Sequence, residues 1–192
     1  MKQLDILVDM DDTLENLTEA WVSWANRRYG TAVKVDDIRS WDPSEAFPGV
    51  SHDQIYAILQ EEALYRTLKP LPGAVEALKS LVDAGHRVYI LSNTDYRVIR
   101  AKTEAVLLRY FPFIPMERVI FAARKPMIRA DVLVDDGPHN LLSGEYAKLL
   151  FTAYHNRDFD AAAHGMTRVN TWPEALAEIE RLAEGDTPGE LF

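Results

Sequence analysis

Residues 5–13 read DILVDMDDT, a short apolar run that ends in a group of carboxylates. A continuous, partly β-branched run of this length is typical of a strand that is covered on both faces, as in a parallel sheet. Ligands bind beyond the carboxyl ends of the strands in such sheets, so the residues after the run are candidates for chemistry. This stretch therefore predicts both an α/β fold and the position of its site.

Further apolar runs of the same kind follow along the chain, with helical patterns between several of them. The runs are residues 88–91, 119–121, 132–134 and 149–151. Helical patterns fall at Val75 to Val82, at residues 96–110, and from Pro173 onwards, where an apolar stripe precedes Gly185. Strands that alternate with helices predict a mostly parallel sheet with helices on both faces.

The stretch from residue 15 to 70 interrupts this alternation. It holds two amphipathic helical patterns, the second with Ser51 and Gln54 spaced as a capping box, and an irregular segment from Arg39 to Val50. We therefore predict a catalytic core from residues 1–14 and 71–192, with residues 15–70 as a small helical cap inserted after the first strand. The polar residues 184–192 predict a loose tail.

Composition excludes several classes of function. The 192 residues contain 30 Asp plus Glu against 21 Lys plus Arg, a formal charge of −9, without a basic run, so we expect neither a nucleic-acid polymer nor a membrane as partner. There is no cysteine, which excludes thiolate metal sites and a cysteine nucleophile. No stretch approaches the ~20 apolar residues of a membrane span, and we expect a cytoplasmic protein.

Chemically active side chains follow four of the five apolar runs. They are Asp9 and Asp11 after the first, Ser92 and Asn93 after the second, Lys125 after the third, and Asp135 with Asp136 after the fourth. Carboxylates that crowd together repel one another unless a cation neutralises them, so the set predicts a metal ion. Oxygen ligands without cysteine favour Mg²⁺, and the spacing of the histidines does not suggest a histidine site.

Taken in this order, the motifs resemble the four successive motifs of the haloacid dehalogenase (HAD) superfamily, whose first motif reads DxDxT. Within it the chain is most similar to the 5′(3′)-deoxyribonucleotidases of the cytosolic and mitochondrial type. The shared features are DMD at 9–11, LPGA at 71–74, the run from Glu117-Arg118 through Lys125 to Asp135-Asp136, and HNR at 155–157.

The resemblance implies a phosphatase mechanism and assigns its residues. Asp9 would attack the phosphorus and form an aspartyl-phosphate, and Asp11 would be the general acid and base, a role that suits a raised pKa. Ser92 and Asn93 would bind the phosphate, the latter near the start of the next helix, where the dipole is positive. Lys125 would offset the charge of Asp9 and the phosphoryl group.

The resemblance also implies the metal ligands. Mg²⁺ would be held by the Asp9 carboxylate, the main-chain carbonyl of Asp11 and the carboxylate of Asp136, with Asp135 behind them. The substrate would be a small phosphomonoester, first a deoxyribonucleoside monophosphate. Because small phosphatases of this kind often pair, we also expect a homodimer.

Residues 15–70 should contact the leaving group of the substrate and so determine substrate specificity. Trp41, in the irregular segment, is the candidate for contact with a base, whereas Trp21 and Trp24 have helical spacing and are expected to form the core of the cap. His155 and its neighbours are expected to brace loops.

Three departures from the family pattern bear on substrate choice. Asp12-Thr13 replaces Gly-Val, Ser92-Asn93-Thr94 replaces Thr-Ser-Pro, and Ala123 stands where the family has an arginine, with Arg124 one position along. They leave the phosphatase chemistry intact and leave the pyrimidine deoxyribonucleotide preference open.

Other functions remain open from the sequence. A sugar phosphatase or phosphomutase would use the same chemistry with a different cap. A phospho-accepting receiver module also combines acidic residues, a hydroxyl and a lysine, but its lysine comes last, whereas Lys125 here precedes Asp135. A binding protein without catalysis is the remaining alternative.

Overall fold

A six-stranded parallel sheet forms the centre of the protein in the computed structural model, which describes residues 2–185. The strands are β1 (Asp5–Val8), β2 (Arg87–Ser92), β3 (Val119–Phe121), β4 (Val132–Asp135), β5 (Ala147–Phe151) and β6 (Thr167–Val169). Their order is β3-β2-β1-β4-β5-β6, and every neighbouring pair is parallel. The predicted α/β fold is confirmed, and β1 lies between the two strands whose ends carry Ser92 and Asp136.

The sixth strand is absent from the sequence prediction. β6 pairs with β5 at the edge of the sheet, and of its three residues only Val169 is both apolar and buried, while Thr167 is exposed. An edge strand of this length needs no apolar run, so periodicity does not reveal it.

Helices connect the strands. They are α1 (Leu17–Tyr29), α2 (His52–Ala57), α3 (Glu62–Tyr65), α4 (Ala74–Asp83), α5 (Ile99–Lys102), α6 (Leu108–Tyr110), α7 (Pro138–Leu141) and α8 (Trp172–Glu184). A π-helical turn, Thr103–Leu107, joins α5 to α6. Single 3₁₀ turns occur at Val35–Asp37, Pro43–Ala46, Ile58–Gln60, Met116–Arg118, Lys125–Met127, Tyr154–Asn156 and Ala162–His164. No helix within residues 2–185 is long and apolar enough to cross a membrane.

The helix predicted over residues 96–110 begins later than expected, at Ile99. Asp95 holds the preceding residues in a turn, because its side chain accepts a hydrogen bond from the Arg97 amide at 2.9 Å and its carbonyl accepts one from the Val98 amide at 3.0 Å. Of the predicted tail, residues 186–192 lie outside the described part of the chain.

The helical insertion, residues 15–70, packs through its own aromatic side chains. The Trp21 indole is buried and donates a hydrogen bond to the Ile55 carbonyl at 2.8 Å, which ties α1 to α2. Ser51 and Gln54 form the capping box predicted for the start of α2. Trp21 therefore lies in the core of the insertion, as expected, and Trp24 is half-buried beside it.

Apolar side chains cover both faces of the sheet. Ile6 and Val8 of β1 belong to the larger core, which includes α1, α4 and α8, whereas Leu7 points to a second cluster with Leu133 and Leu150. Successive residues of a strand face opposite sides, so this alternation explains why the β1 run is apolar throughout.

Trp172, at the start of α8, anchors the loop that follows β1. Its ring is fully buried against Phe151, with 5.6 Å between the ring centroids, and its indole donates a hydrogen bond to the Thr13 carbonyl at 2.8 Å. The last helix therefore fixes the backbone of the carboxylate-rich loop.

We expect Trp172→Phe to lower the free energy of unfolding by about 2 kcal/mol, because it opens a cavity and leaves a buried carbonyl without its donor. Urea denaturation measures this. Trp24→Phe is the matched control and should cost less than half as much, since the Trp24 indole has no hydrogen-bond acceptor within the described residues. Equal losses in the two variants would contradict the assigned role of the Trp172 bond.

Candidate active site

Asp9 lies at the carboxyl end of β1, where a lysine from another loop reaches it. Its amide donates to the Val134 carbonyl at 3.0 Å, which extends the pairing of β1 with β4 by one residue. The buried Lys125 ammonium contacts the Asp9 carboxylate and lies 2.8 Å from Oδ2 of Asp135. One lysine after β3 thus bridges the acidic ends of β1 and β4.

Both carboxylate oxygens of Asp135 accept hydrogen bonds from groups inside the protein. Its Oδ1 accepts hydrogen bonds from the Gly137 amide at 2.8 Å and from the Asn140 side chain at 3.0 Å, while Oδ2 accepts from Lys125. A Cβ at position 137 would lie 2.9 Å from the Asn140 amide nitrogen, so a larger residue there would have to displace this hydrogen-bonding side chain. Asp135 therefore orients Lys125 and the loop that follows β4.

Asp136 is oriented by the loop after β5. Its carbonyl accepts a hydrogen bond from the Asn156 side chain at 2.8 Å and lies 3.2 Å from Nε2 of His155, and the same nitrogen lies 3.4 Å from the Asp136 carboxylate. Arg157 forms an ion pair with Asp36 of the insertion at 2.9 Å. This loop braces Asp136 and also contacts the insertion.

Asp9, Asp135 and Asp136 form a buried carboxylate cluster whose oxygen atoms lie within 4.8 Å of one another. Burial and the neighbouring carboxylates raise the pKa of Asp9 to about 7 although Lys125 opposes the change, and they raise the pKa of Asp136 well above its usual value. Such crowding is relieved by a bound cation, and an all-oxygen donor set fits a hard one. The cluster can therefore hold a metal ion.

The side chain of Asp11 turns away from the cluster towards a second lysine. Its Oδ1 lies 2.5 Å from the ammonium of Lys102, on α5. Burial raises the pKa of Asp11, but Lys102 and the neighbouring Glu15 lower it by more, so the net pKa lies below the usual value. In the free protein the pKa of Asp11 is thus lowered rather than raised, an effect of Lys102 that the sequence did not reveal.

Lys102 was missed because a lysine in a helical segment is usually solvated. A signal did exist: Lys102 is four residues from Val98 and four from Val106, both buried, so it lies on the apolar face of its helix. A charged residue at such a position needs a buried partner.

Ser92 and Asn93 end β2 differently from what was expected. The Ser92 hydroxyl is buried and lies 2.9 Å from the Thr94 hydroxyl. Asn93 is exposed and lies outside any strand or helix, six residues before α5 begins at Ile99. The predicted contribution of a helix N-terminus at Asn93 is therefore wrong, because the Asp95 turn delays the helix.

Asp12 joins the loop after β1 to the insertion. It adopts the left-handed conformation with a φ of 52°, and its carboxylate accepts hydrogen bonds from the amide and the hydroxyl of Thr18, in the first turn of α1. Burial raises the pKa of Asp12 to about 6, although the bonds from Thr18 oppose the shift. Asp and Asn tolerate this backbone region better than most side chains.

A cavity of about 240 Å³ opens beside these groups. Its walls include Asp9, Asp11, Lys125 and Asp136 from the sheet edge, Asn93, Ala123 and the histidines 139 and 155 from the loops, and Leu17, Trp21, Trp41, Pro43 and Tyr56 from the insertion. Trp41 is 55% exposed and meets His139 and His155 edge-on, with centroids 4.6 and 4.7 Å apart. Arg124 is exposed and lies outside this wall.

Comparison with known proteins shows the family. Residues 2–183 match the family described as 5′ nucleotidase, deoxy (Pyrimidine), cytosolic type C protein. A 5′(3′)-deoxyribonucleotidase of Clostridium acetobutylicum is 33% identical over 177 residues, 92% of this chain and 95% of the relative. The enzyme of the same name from Bacillus subtilis is 34% identical over 171 residues, 88% and 94% of the two chains.

Solved structures share the fold at lower identity. A HAD family hydrolase from Deinococcus radiodurans, solved with bound phosphate and sodium, has a TM-score of 0.61 at 18% identity and covers 94% of this chain and 95% of its own. A haloacid dehalogenase-like hydrolase from Streptococcus pneumoniae has a TM-score of 0.64 at 15% identity, with 92% and 98% covered. The chain therefore has a HAD-like fold, belongs to the deoxy (pyrimidine) cytosolic type C 5′-nucleotidase family, and is a hydrolase of phosphoric monoesters.

Proposed function

We propose that the protein is a Mg²⁺-dependent phosphatase that releases phosphate from a deoxyribonucleoside monophosphate through an aspartyl-phosphate intermediate on Asp9. The observation that carries the proposal is the position of Asp9, between Lys125 and the Asp136 carboxylate and in the wall of a cavity lined by aromatic side chains. The family and the names of the relatives support the substrate class.

Asp9 is the proposed nucleophile. Its carboxylate oxygen attacks the phosphorus, the bond from phosphorus to the leaving oxygen breaks, and water later hydrolyses the acyl phosphate and regenerates the carboxylate. The contact with Lys125 supports this role, because the ammonium favours the ionised carboxylate and balances the charge of an incoming phosphate. Ser92, Asn93 and Lys125 are the proposed phosphate-binding residues.

Asp11 is the proposed general acid and base. It gives a proton to the leaving oxygen and then takes one from the attacking water. Its lowered pKa in the free protein does not oppose this role, because a bound phosphate adds negative charge next to Asp11 and so favours its protonated form.

Mg²⁺ would be held by the carboxylates of Asp9 and Asp136 and by the main-chain carbonyl of Asp11. When bound, it supplies charge neutralisation for the phosphoryl oxygens. Asp135 is the less suitable ligand, because both of its oxygens already accept hydrogen bonds from Lys125, Gly137 and Asn140. The choice of Asp136 rests on this difference.

Residues 15–70 are the proposed cap over the site. Trp41, Pro43 and Tyr56 of this segment share one cavity with Asp9 and Lys125, which supports a role in reading the leaving group. The exposed face of Trp41 is available for stacking on a base.

A substrate panel tests the proposed function. We expect dUMP or dTMP to be hydrolysed with a higher kcat/KM than ribonucleotides and sugar phosphates, and Asp9→Asn to lower phosphate release at least about 1,000-fold. Asp83→Asn, which changes an exposed carboxylate at the end of α4 that pairs with Lys79, is the control and should leave activity unchanged. A sugar phosphate as the best substrate would refute the nucleotide assignment, and full activity of Asp9→Asn would refute the mechanism.

The metal assignment predicts a specific change in Asp136→Asn. Loss of one ligand charge should raise the Mg²⁺ concentration for half-maximal activity by at least about tenfold. The rise in melting temperature on addition of Mg²⁺ should weaken in parallel, which gives a second readout. Asp53→Asn, an exposed substitution in the first turn of α2, is the control. An unchanged Mg²⁺ requirement would exclude Asp136 as a ligand.

The cap assignment predicts a change in substrate affinity in Trp41→Ala. If the indole stacks on the base, KM for the preferred nucleotide should rise about tenfold, the value of one lost stacking contact. Inorganic phosphate lacks a base, so its inhibition constant should stay within about twofold, by the same argument. A parallel rise in both constants would show that Trp41 acts on the phosphate site instead.

A further inference from the structure

Lys102 is a buried cation that the proposed mechanism does not yet use. Its side chain is 1% exposed, and its ammonium lies 2.5 Å from Oδ1 of Asp11, 3.3 Å from the Thr94 hydroxyl and 3.8 Å from Oε1 of Glu15. The residue is 91 positions from Asp11 in sequence and reaches it from the last residue of α5.

A lysine at this position is not explained by stability. The desolvation of a buried ion pair generally offsets its attraction, and an apolar side chain would satisfy the same face of α5. The helix also changes at this point from α-helical to a π-helical turn, Thr103–Leu107, a feature that often accompanies functional sites. Both observations favour a role in the adjacent chemistry.

Glu15 completes the group from the other side. Its carboxyl is fully buried, and neither of its oxygens has a hydrogen-bond partner within residues 2–185. Lys102 is thus the cation shared by two carboxyl groups that would otherwise repel each other.

Each of the two lysines of the site contacts a different one of the two catalytic carboxylates. Lys125 holds Asp9 and Asp135, and Lys102 holds Asp11. Lys125 therefore contacts the carboxylate that attacks the phosphorus. Lys102 contacts the carboxylate that exchanges a proton with the leaving oxygen.

We propose that Lys102, together with Glu15, is a positioning residue for Asp11 that fixes Oδ1 and leaves Oδ2 to exchange the proton with the leaving oxygen. The inference rests on the proposed function, since it requires Asp11 to be the general acid. As the bond from phosphorus to the leaving oxygen breaks, the proton passes from Asp11 to that oxygen, and the bond pair stays on it. Lys102 keeps its own proton throughout.

Two substrates with different leaving groups distinguish a positioning role of Lys102 from a purely structural one. A nucleoside leaves as a basic alkoxide and needs the proton, whereas p-nitrophenolate leaves without one. We expect Lys102→Met to lower the single-turnover rate of leaving-group release about 100-fold for dUMP and less than about threefold for p-nitrophenyl phosphate. This measurement excludes the later hydrolysis of the aspartyl-phosphate, in which Asp11 acts as the base for both substrates. Lys79→Met, an exposed lysine on α4, is the matched control and should change neither rate.

Asp11→Asn distinguishes failure of this inference from failure of the proposed function. If Asp11→Asn slows the single-turnover release of both leaving groups equally, Asp11 is not the general acid and the proposed mechanism is wrong. If Asp11→Asn slows only the release from dUMP but Lys102→Met slows the release from both substrates equally, or from neither, then only the positioning role is overturned.

A double variant distinguishes loss of positioning from misfolding. Lys102→Met leaves two carboxyls facing each other, and circular dichroism and thermal unfolding will show whether the fold survives. Lys102→Met with Glu15→Gln removes both buried charges, so it should fold and should still slow leaving-group release selectively for dUMP. Full activity of the folded double variant on dUMP would refute the proposal.

Discussion

The mutual repulsion of carboxylates at one edge of the sheet is the constraint on which the rest of the site depends. The parallel pairing of β1 with β4 brings Asp9, Asp135 and Asp136 within 4.8 Å of one another. Such a group is stable only if cations are supplied from elsewhere in the chain. Lys125, from the loop after β3, supplies one such charge to Asp9, and Lys102, in the helix after β2, faces the adjacent Asp11, so the positions of β2 and β3 are tied to the charge balance of β1 and β4.

The same constraint explains the buried polar groups around the site. Gly137 and Asn140 donate to Asp135, and the loop with His155 and Asn156 holds Asp136 through its carbonyl. These bonds use neutral donors, so they orient the carboxylates without cancelling their charge. The acidic edge therefore keeps its attraction for a cation while its side chains remain fixed.

The sequence was sufficient to predict the sheet and most residues at its edge, because apolar runs and the residues after them depend on local pattern alone. It failed where the outcome depended on contacts between distant segments. β6 has one buried apolar residue and owes its existence to β5, and the late start of α5 depends on the Asp95 turn. Lys102 could be assigned only when the face of its helix that packs over Asp11 was known.

The left-handed backbone at Asp12 has a consequence for how the site can open. The Asp12 carboxylate accepts two hydrogen bonds from Thr18, which join the first turn of α1 to the loop that carries Asp9 and Asp11, and Trp172 donates a hydrogen bond to the next residue of that loop. The first helix of the insertion and the nucleophile loop should therefore move as one rigid body. We expect any hinge for substrate entry to lie farther along, in the irregular segment around Trp41. Asp12→Gly would remove the bonds to Thr18 and would place the hinge in the nucleophile loop itself.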